Sequence, residues 1–417
     1  MRRLYTLVLY LATPLVLLRL YWRGRQAPGY RRRWGERFGF IAPPPAAGCL
    51  WIHAVSVGEV RAALPLIRRL QGRYPDAPLL VTTTTPTGSR QVREALPGVH
   101  HAYAPYDLPG AVARFFRRAR PRLAVIMETE LWPNLFHHCR AAGVPLVVAN
   151  ARLSERSMQG YARLAGLTAR TLARVTVVAA QSGADGERFR RLGAPRVRVI
   201  GNIKYDLTPP PGLAEQGQAL RRGFGGRPVL IAASTHQGED EQVLEAFAAL
   251  RRDLPEALLL LVPRHPERFA AVTALCRRQG LAVVTRSSGQ SAVSDVFMGD
   301  TMGELLLFYA AADVAFVGGS LVPTGGHNVL EPALLGLPVL FGPHMFNFAE
   351  IARHLLEAEA AWQVRDAADL AAAAGRLLAN RALRESMGRH GQAVVESNRG
   401  ALAALLEIID GLLKKAG

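Results

Sequence analysis

Apolar residues in this chain gather in short runs, and between the runs they return at the three-to-four-residue spacing of an amphipathic helix. Such runs read as strands buried on both faces, and the alternation predicts a parallel sheet covered by helices on both sides. The first series of predicted strands is Leu50 to Val55, Leu79 to Thr84, Leu123 to Met127, Leu146 to Ala149, Val175 to Ala180 and Val197 to Ile200. Helical periodicity lies between them, as at Ala62 to Leu70 and Gly110 to Arg118. Pro209-Pro210-Pro211 then breaks the pattern, and it restarts at Val229 to Ala233, Leu258 to Val262, Ala282 to Thr285, Val296 to Met298, Val314 to Val317 and Val339 to Phe341. The expected fold is α/β, with two Rossmann-like halves and a cleft between facing strand ends. The 417 residues are expected to divide into an N-terminal segment 1–40, a domain 41–207 and a domain 208–417. The last helical stretches, about Asp366 to Lys415, are candidates to cross back over the first domain.

The first forty residues differ in kind. Leu4 to Leu18 is an apolar run interrupted by Pro14, with Arg2 and Arg3 before it and Arg19, Arg23, Arg25 and Arg31 to Arg33 after it. The run is short for a span, which needs about 20 apolar residues, and arginines at both ends oppose crossing. No small-residue cleavage site precedes the basic stretch, as a secretory signal would require. The segment therefore reads as an uncleaved anchor lying in or dipping into the inner leaflet of a membrane, with Tyr5, Tyr10, Tyr21 and Trp22 at the interface.

Composition narrows the partners. Hydrophobic residues at 49% and charged ones at 20% describe a globular protein, while the net charge of +18 calls for an anionic partner. No zinc finger, ribonucleoprotein motif or basic helix interleaved with aromatics is present, so nucleic acid is discounted in favour of an anionic membrane surface or a phosphorylated substrate. Cys49, Cys139 and Cys276 have neither disulfide density nor zinc spacing and read as buried thiols. No cofactor and no tightly bound metal are expected.

Chemistry is expected where strands end. Glu59 closes His53-Ala-Val-Ser-Val-Gly-Glu59 just where a helix should begin, a candidate general base. An acidic residue in a helix's first turn also complements the helix dipole, so the position alone fits a cap equally well. Glu128, Glu130 and Lys204 likewise follow predicted strands. In the second half, Gly318-Gly-Ser320 and Pro323-Thr-Gly-Gly-His327-Asn328-Val-Leu-Glu331 read as a backbone cradle for a nucleotide phosphate, or as a plain glycine turn into a helix. Asn328 and Glu331 have capping-box spacing, and Glu331 could also accept from a ribose diol. Arg264, after Pro263, offers a guanidinium for phosphate or base, and the backbone of Met302-Gly303-Glu304 could read a base edge.

Seven motifs in order carry a resemblance over nearly the whole chain: Tyr30-Arg-Arg-Arg-Trp-Gly-Glu-Arg-Phe-Gly39, the Glu59 segment, Met127-Glu-Thr-Glu-Leu-Trp-Pro-Asn134, Asn150-Ala-Arg-Leu-Ser154, Val262-Pro-Arg-His-Pro-Glu-Arg-Phe269, Gly299-Asp-Thr-Met-Gly-Glu304 and Gly325-Gly-His-Asn328. Together they resemble the Kdo transferases of lipopolysaccharide assembly, which move 3-deoxy-D-manno-oct-2-ulosonic acid (Kdo) from CMP-Kdo to a lipid A precursor, lipid IVA. The resemblance implies a GT-B glycosyltransferase fold, a position on the cytoplasmic face of the membrane and inversion at the anomeric carbon. It implies Glu59 as proton acceptor, and Glu128 and Lys204 as transition-state stabilisers. It further implies CMP contacts at Pro263, Arg264, Met302, Gly303, Glu304, Asn328, Val329, Leu330 and Glu331. Around Thr324 and Pro332 the pattern is looser, and nothing is carried over. A GT-B enzyme using another nucleotide sugar, and a membrane-bound lipid-binding protein without turnover, remain the competing readings.

Overall fold

The computed structural model describes residues 1–290 and 294–416. Two compact units are present: Met1–Asp206 together with Arg399–Gly417, and Leu207–Asn398.

The first unit holds a seven-stranded parallel sheet of β1 (Cys49–His53), β2 (Leu79–Thr83), β3 (His100–Tyr103), β4 (Pro121–Met127), β5 (Leu146–Ala151), β6 (Val177–Ala180) and β7 (Val197–Val199), in the order β3-β2-β1-β4-β5-β6-β7. Alternate residues of β1 enter opposite cores, Leu50 and Ile52 on one face and Cys49 and Trp51 on the other, as a doubly covered sheet requires. The second unit repeats the plan with β8 (Val229–Thr235), β9 (Leu258–Pro263), β10 (Val283–Thr285), β11 (Val296–Met298), β12 (Val314–Val317), β13 (Val339–Phe341) and β14 (Ala361–Gln363), in the order β10-β11-β9-β8-β12-β13-β14. Every strand read from the sequence is present, with its ends moved by no more than two residues; the edge strands β3 and β14 were not foreseen. The three cysteines are buried thiols.

Two features depart from the sequence expectation. The helices Ala367–Ala379 and Arg381–Ser397 stay with the second unit, Leu370, Leu377 and Met387 entering its core. Only Ala401–Ala416 joins the first unit, burying Leu405, Ile408 and Ile409 against the β1 face. The carboxylate of Asp206 accepts from Gly400 N and Leu402 N at 2.7 Å each, satisfying amides at this helix's start. Asp410 holds the far end, accepting from Tyr74 Oη at 2.5 Å and pairing with Arg73.

The second departure is the N-terminal helix, α1, which runs unbroken from Arg2 to Gln26 despite Pro14. By length and composition its Arg2–Arg25 stretch could cross a membrane, longer than the apolar run alone implied. Its inner face is nevertheless tied to the first unit. Tyr5 Oη donates to Asp107 Oδ2 at 3.0 Å, Arg2 and Thr6 donate to Asn134 Oδ1 at 3.1 Å, and Leu20 and Gly24 are buried near its other end. The opposite face leaves Leu4, Leu7, Val8, Leu11, Leu15, Leu18 and Trp22 exposed, Leu11 by 71%. Beyond α1, the Tyr30–Gly39 motif fastens to edge strand β3: Glu36 accepts from Tyr103 N at 2.8 Å, and Arg33 donates to His101 O at 3.0 Å.

Candidate active site

In the first sheet the strand order reverses between β1 and β4, the place where open α/β sheets leave a crevice beyond their carboxyl ends. Glu59 follows β1 and Glu128 follows β4, so the sheet topology brings to one end two residues far apart in sequence. Glu59 lies in the first turn of the helix Val57–Arg73. Ser56 caps that helix, its Oγ accepting from Glu59 N at 3.3 Å, and the Glu59 carboxylate reaches back to accept from Val55 N at 2.8 Å and Ser56 Oγ at 3.2 Å. The cap reading and the base reading therefore fall on one side chain. Burial pushes its carboxyl up to about 7, Val55 N pulling the other way and the charges of Glu128 and Glu130 adding to the rise. A carboxylate poised there can hold or release a proton at neutral pH.

Glu128 adopts φ +56, a left-handed conformation uncommon outside glycine, and its N–H donates to Ala149 O at 2.8 Å. Lys204 Nζ lies 3.7 Å from Glu128 Oε1. Lys204 is set by the 3-10 turn Ile203–Tyr205, where Asn202 Oδ1 accepts from Lys204 N at 3.0 Å and the buried Asn150 Oδ1 accepts from Ile203 N at 3.1 Å. Asn150, from another quoted motif, thus positions the turn that carries the lysine. Glu130 accepts from Trp132 Nε1 at 2.7 Å; burial raises its carboxyl, and Glu128 adds to the rise. Three carboxyls and one ammonium group share this rim.

In the second sheet the order reverses between β8 and β12. Here the expected phosphate cradle is corrected at its first part, Gly318-Gly-Ser320. The amides of Gly319, Ser320 and Leu321, together with His236 N, all donate to the carboxylate of Glu239, at 2.6 to 3.1 Å. Glu239 is fully buried, and the anion in this nest of amides is the protein's own. The two glycines are required: a Cβ at Gly318 would stand 2.8 Å from Glu239 Oε2 and from Ser234 O, and Gly319 has φ +68. Sequence reading missed Glu239; the signal available was an acidic residue in Thr235-His-Gln-Gly-Glu239, after a strand and before a helix.

The other second-unit candidates cluster around the strand ends. Pro263 ends β9, and Arg264 N donates to Thr235 O at 3.0 Å. Met302 is 61% exposed and Gly303 has φ +86, while Glu304 forms a two-oxygen pair with Arg286, Nη2 to Oε1 at 2.7 Å, and accepts from Thr301. Arg286 was also not foreseen; it pulls the Glu304 carboxyl below its ordinary range. Asn328 Oδ1 accepts from Leu330 N at 3.2 Å and its amide donates to Glu331 Oε1 at 3.0 Å, while the N-cap of the short helix Leu330–Leu334 is Val329, with no side-chain cap bond, and not Asn328. Val329 and Leu330 bury their side chains and can offer a ligand only backbone. His236 and His327 stack with their Nε2 atoms 2.8 Å apart, one donating to the other.

Two doubly wound sheets, each with polar side chains gathered where its strand order reverses, give the chain the GT-B fold. The structure of MurG from Acinetobacter baumannii shares this fold, with a TM-score of 0.55 at 13% identity, covering 88% of this chain and all of that one. Residues 32–207 match the family described as 3-Deoxy-D-manno-octulosonic-acid transferase (kdotransferase). The 3-deoxy-D-manno-octulosonic acid transferases of Haemophilus influenzae and Bordetella pertussis are 43% and 40% identical, each over 99% of both chains. The chain belongs to the 3-deoxy-D-manno-octulosonic acid transferase family.

Proposed function

We propose that the chain transfers Kdo from CMP-Kdo to a lipid A precursor, inverting the anomeric carbon, with Glu59 as general base. The observation that carries this reading is the Glu59 carboxyl, held near neutrality by burial at the reversal point of the first sheet and sharing its rim with Glu128 and Lys204. A sugar hydroxyl is far too weak an acid to ionise at neutral pH, so Glu59 takes its proton as the oxygen attacks. As the bond to CMP breaks, positive charge grows on the sugar and negative charge on the phosphate. Lys204 answers the phosphate, while Glu128 orients Lys204 and offsets the charge on the ring. The second unit holds the nucleotide through Pro263, Arg264, Met302 to Glu304 and Asn328 to Glu331. Titration calorimetry on the full chain tests this assignment: CMP is expected to bind at least about tenfold more tightly than UDP, and equal affinity would favour a GT-B enzyme of another donor.

We also propose that α1 lies in the cytoplasmic interface of the inner membrane. Its hydrogen bonds to Asn134 and Asp107 at one end and its burial at Leu20 and Gly24 near the other support a helix lying along the first unit, its ridge from Leu4 to Trp22 facing lipid. Full burial of a leucine side chain is worth about 1.5–3 kcal/mol. Leu7→Glu and Leu11→Glu are each expected to weaken sedimentation with phosphatidylglycerol vesicles by about tenfold or more while leaving CMP binding unchanged. Vesicle binding as strong as wild type in both variants would refute the placement.

A further inference from the structure

Beside the first turn of α1 is a cavity of about 280 Å³ lined by Met1, Arg2, Arg3, Leu167, Arg170 and Arg174. Four of its six lining residues are guanidinium-bearing and none is acidic. Asp107 lies within electrostatic reach of Arg2, and its oxygens already accept from Leu135 N, Asn134 N and Tyr5 Oη. Arg2 spends one N–H on Asn134 Oδ1. Arg174 is in a poorer position: its Nη1 is buried and has no hydrogen-bond partner. Burial, with Arg2 and Arg170 nearby, also pulls its pKa down from the usual arginine range.

Like charges converging on a polar cavity repel, and a buried N–H without an acceptor forfeits its hydration with no return. Both costs disappear when an anion with several acceptor oxygens enters. A phosphate group suits the donors, since guanidinium forks pair with phosphate oxygens two at a time. The cavity lies at the end of the exposed ridge where Leu4 stands 65% exposed, the boundary at which a lipid's phosphate sits above its acyl chains.

We propose that this cavity binds the phosphate of an anionic glycerophospholipid headgroup. The lipid source rests on the interfacial placement of α1; the affinity for phosphate does not. Two measurements on the full chain separate them. The first is ³¹P line broadening of sn-glycerol 3-phosphate, expected with wild type and lost with R170Q/R174Q. Equal broadening by both, or by neither, overturns the site. The second is sedimentation with vesicles of phosphatidylglycerol in phosphatidylcholine against phosphatidylcholine alone. At roughly fivefold per basic residue, R170Q/R174Q is expected to lose about 25-fold in affinity for the anionic vesicles and little for the neutral ones. R277Q/R278Q removes two exposed charges from the second unit and is expected to lose less than threefold; an equal loss would mean diffuse charge and no site. Glycerol phosphate binding without any vesicle binding would overturn the lipid source together with the interfacial placement. A KM for lipid acceptor in neutral detergent that rises in R170Q/R174Q would assign the cavity to the acceptor's phosphate and overturn the headgroup.

Discussion

Glu59→Gln is expected to lower transfer turnover by about two to four powers of ten, the usual worth of a positioned base, in a chain that folds normally. Glutamine keeps an oxygen able to accept from Val55 N, so the start of the helix Val57–Arg73 stays capped while the proton acceptor is gone. The pH dependence separates the two roles. In wild type the acidic limb of kcat/KM should turn near the Glu59 value of about 7, and in the variant's residual activity that limb should vanish. Stability gives an independent readout with a definite sign. Because this carboxyl titrates at about 7 when folded against 4.5 in its ordinary state, the folded chain binds more protons between those values. Its contribution to stability therefore falls as pH rises from about 4.5 to about 7. The melting temperature of Glu59→Gln, relative to wild type, should climb across the same interval. Wild-type turnover in the variant, measured by mass spectrometry of the lipid product from CMP-Kdo and lipid A precursor, would remove Glu59 from the chemistry.

Glu239→Ala is expected to destabilise the second unit by about 3–5 kcal/mol, because it strands buried amide donors that now share one carboxylate. The carboxylate stitches the loop after β8 to the loop after β12, so CMP binding should fall with it even where the unit stays folded. Trp362 is the single tryptophan of that unit, and its ¹⁹F resonance in 5-fluorotryptophan-labelled protein follows urea unfolding there directly. An unchanged midpoint for Trp362 would show that water replaces the carboxylate at little cost.

The parallel sheets were legible in the sequence because their strands are buried on both faces and read as unbroken apolar runs. β3, His-His-Ala-Tyr, and β14, Ala-Trp-Gln, escaped notice as short edge strands whose polar residues are half-buried in the first and exposed in the second. Glu59 was visible as an acidic residue behind a strand, but its partnership with Glu128 depends on β1 lying beside β4, which no local pattern encodes. The same holds for Glu239: which amides it meets follows from β8 pairing with β12. The glycines of Gly318-Gly-Ser320 correctly announced a close approach of backbone to an anion, and composition could not tell that the anion belonged to the chain itself. Pro14 was read as an interruption of the apolar run, whereas helix α1 continues through it.

The helix Ala401–Ala416 sets the order in which the molecule can be finished. The first unit's sheet leaves the ribosome with its β1 face covered in part by the helices Val57–Arg73 and Pro86–Ala95, while Leu405, Ile408 and Ile409, which complete that face, follow only after Leu207–Asn398. Leu207–Asn398, an uninterrupted stretch, is complete before them. The unit begun first is thus closed only after the other has been made, and its partly covered sheet needs shelter, as from a chaperone, until residues 401–416 arrive.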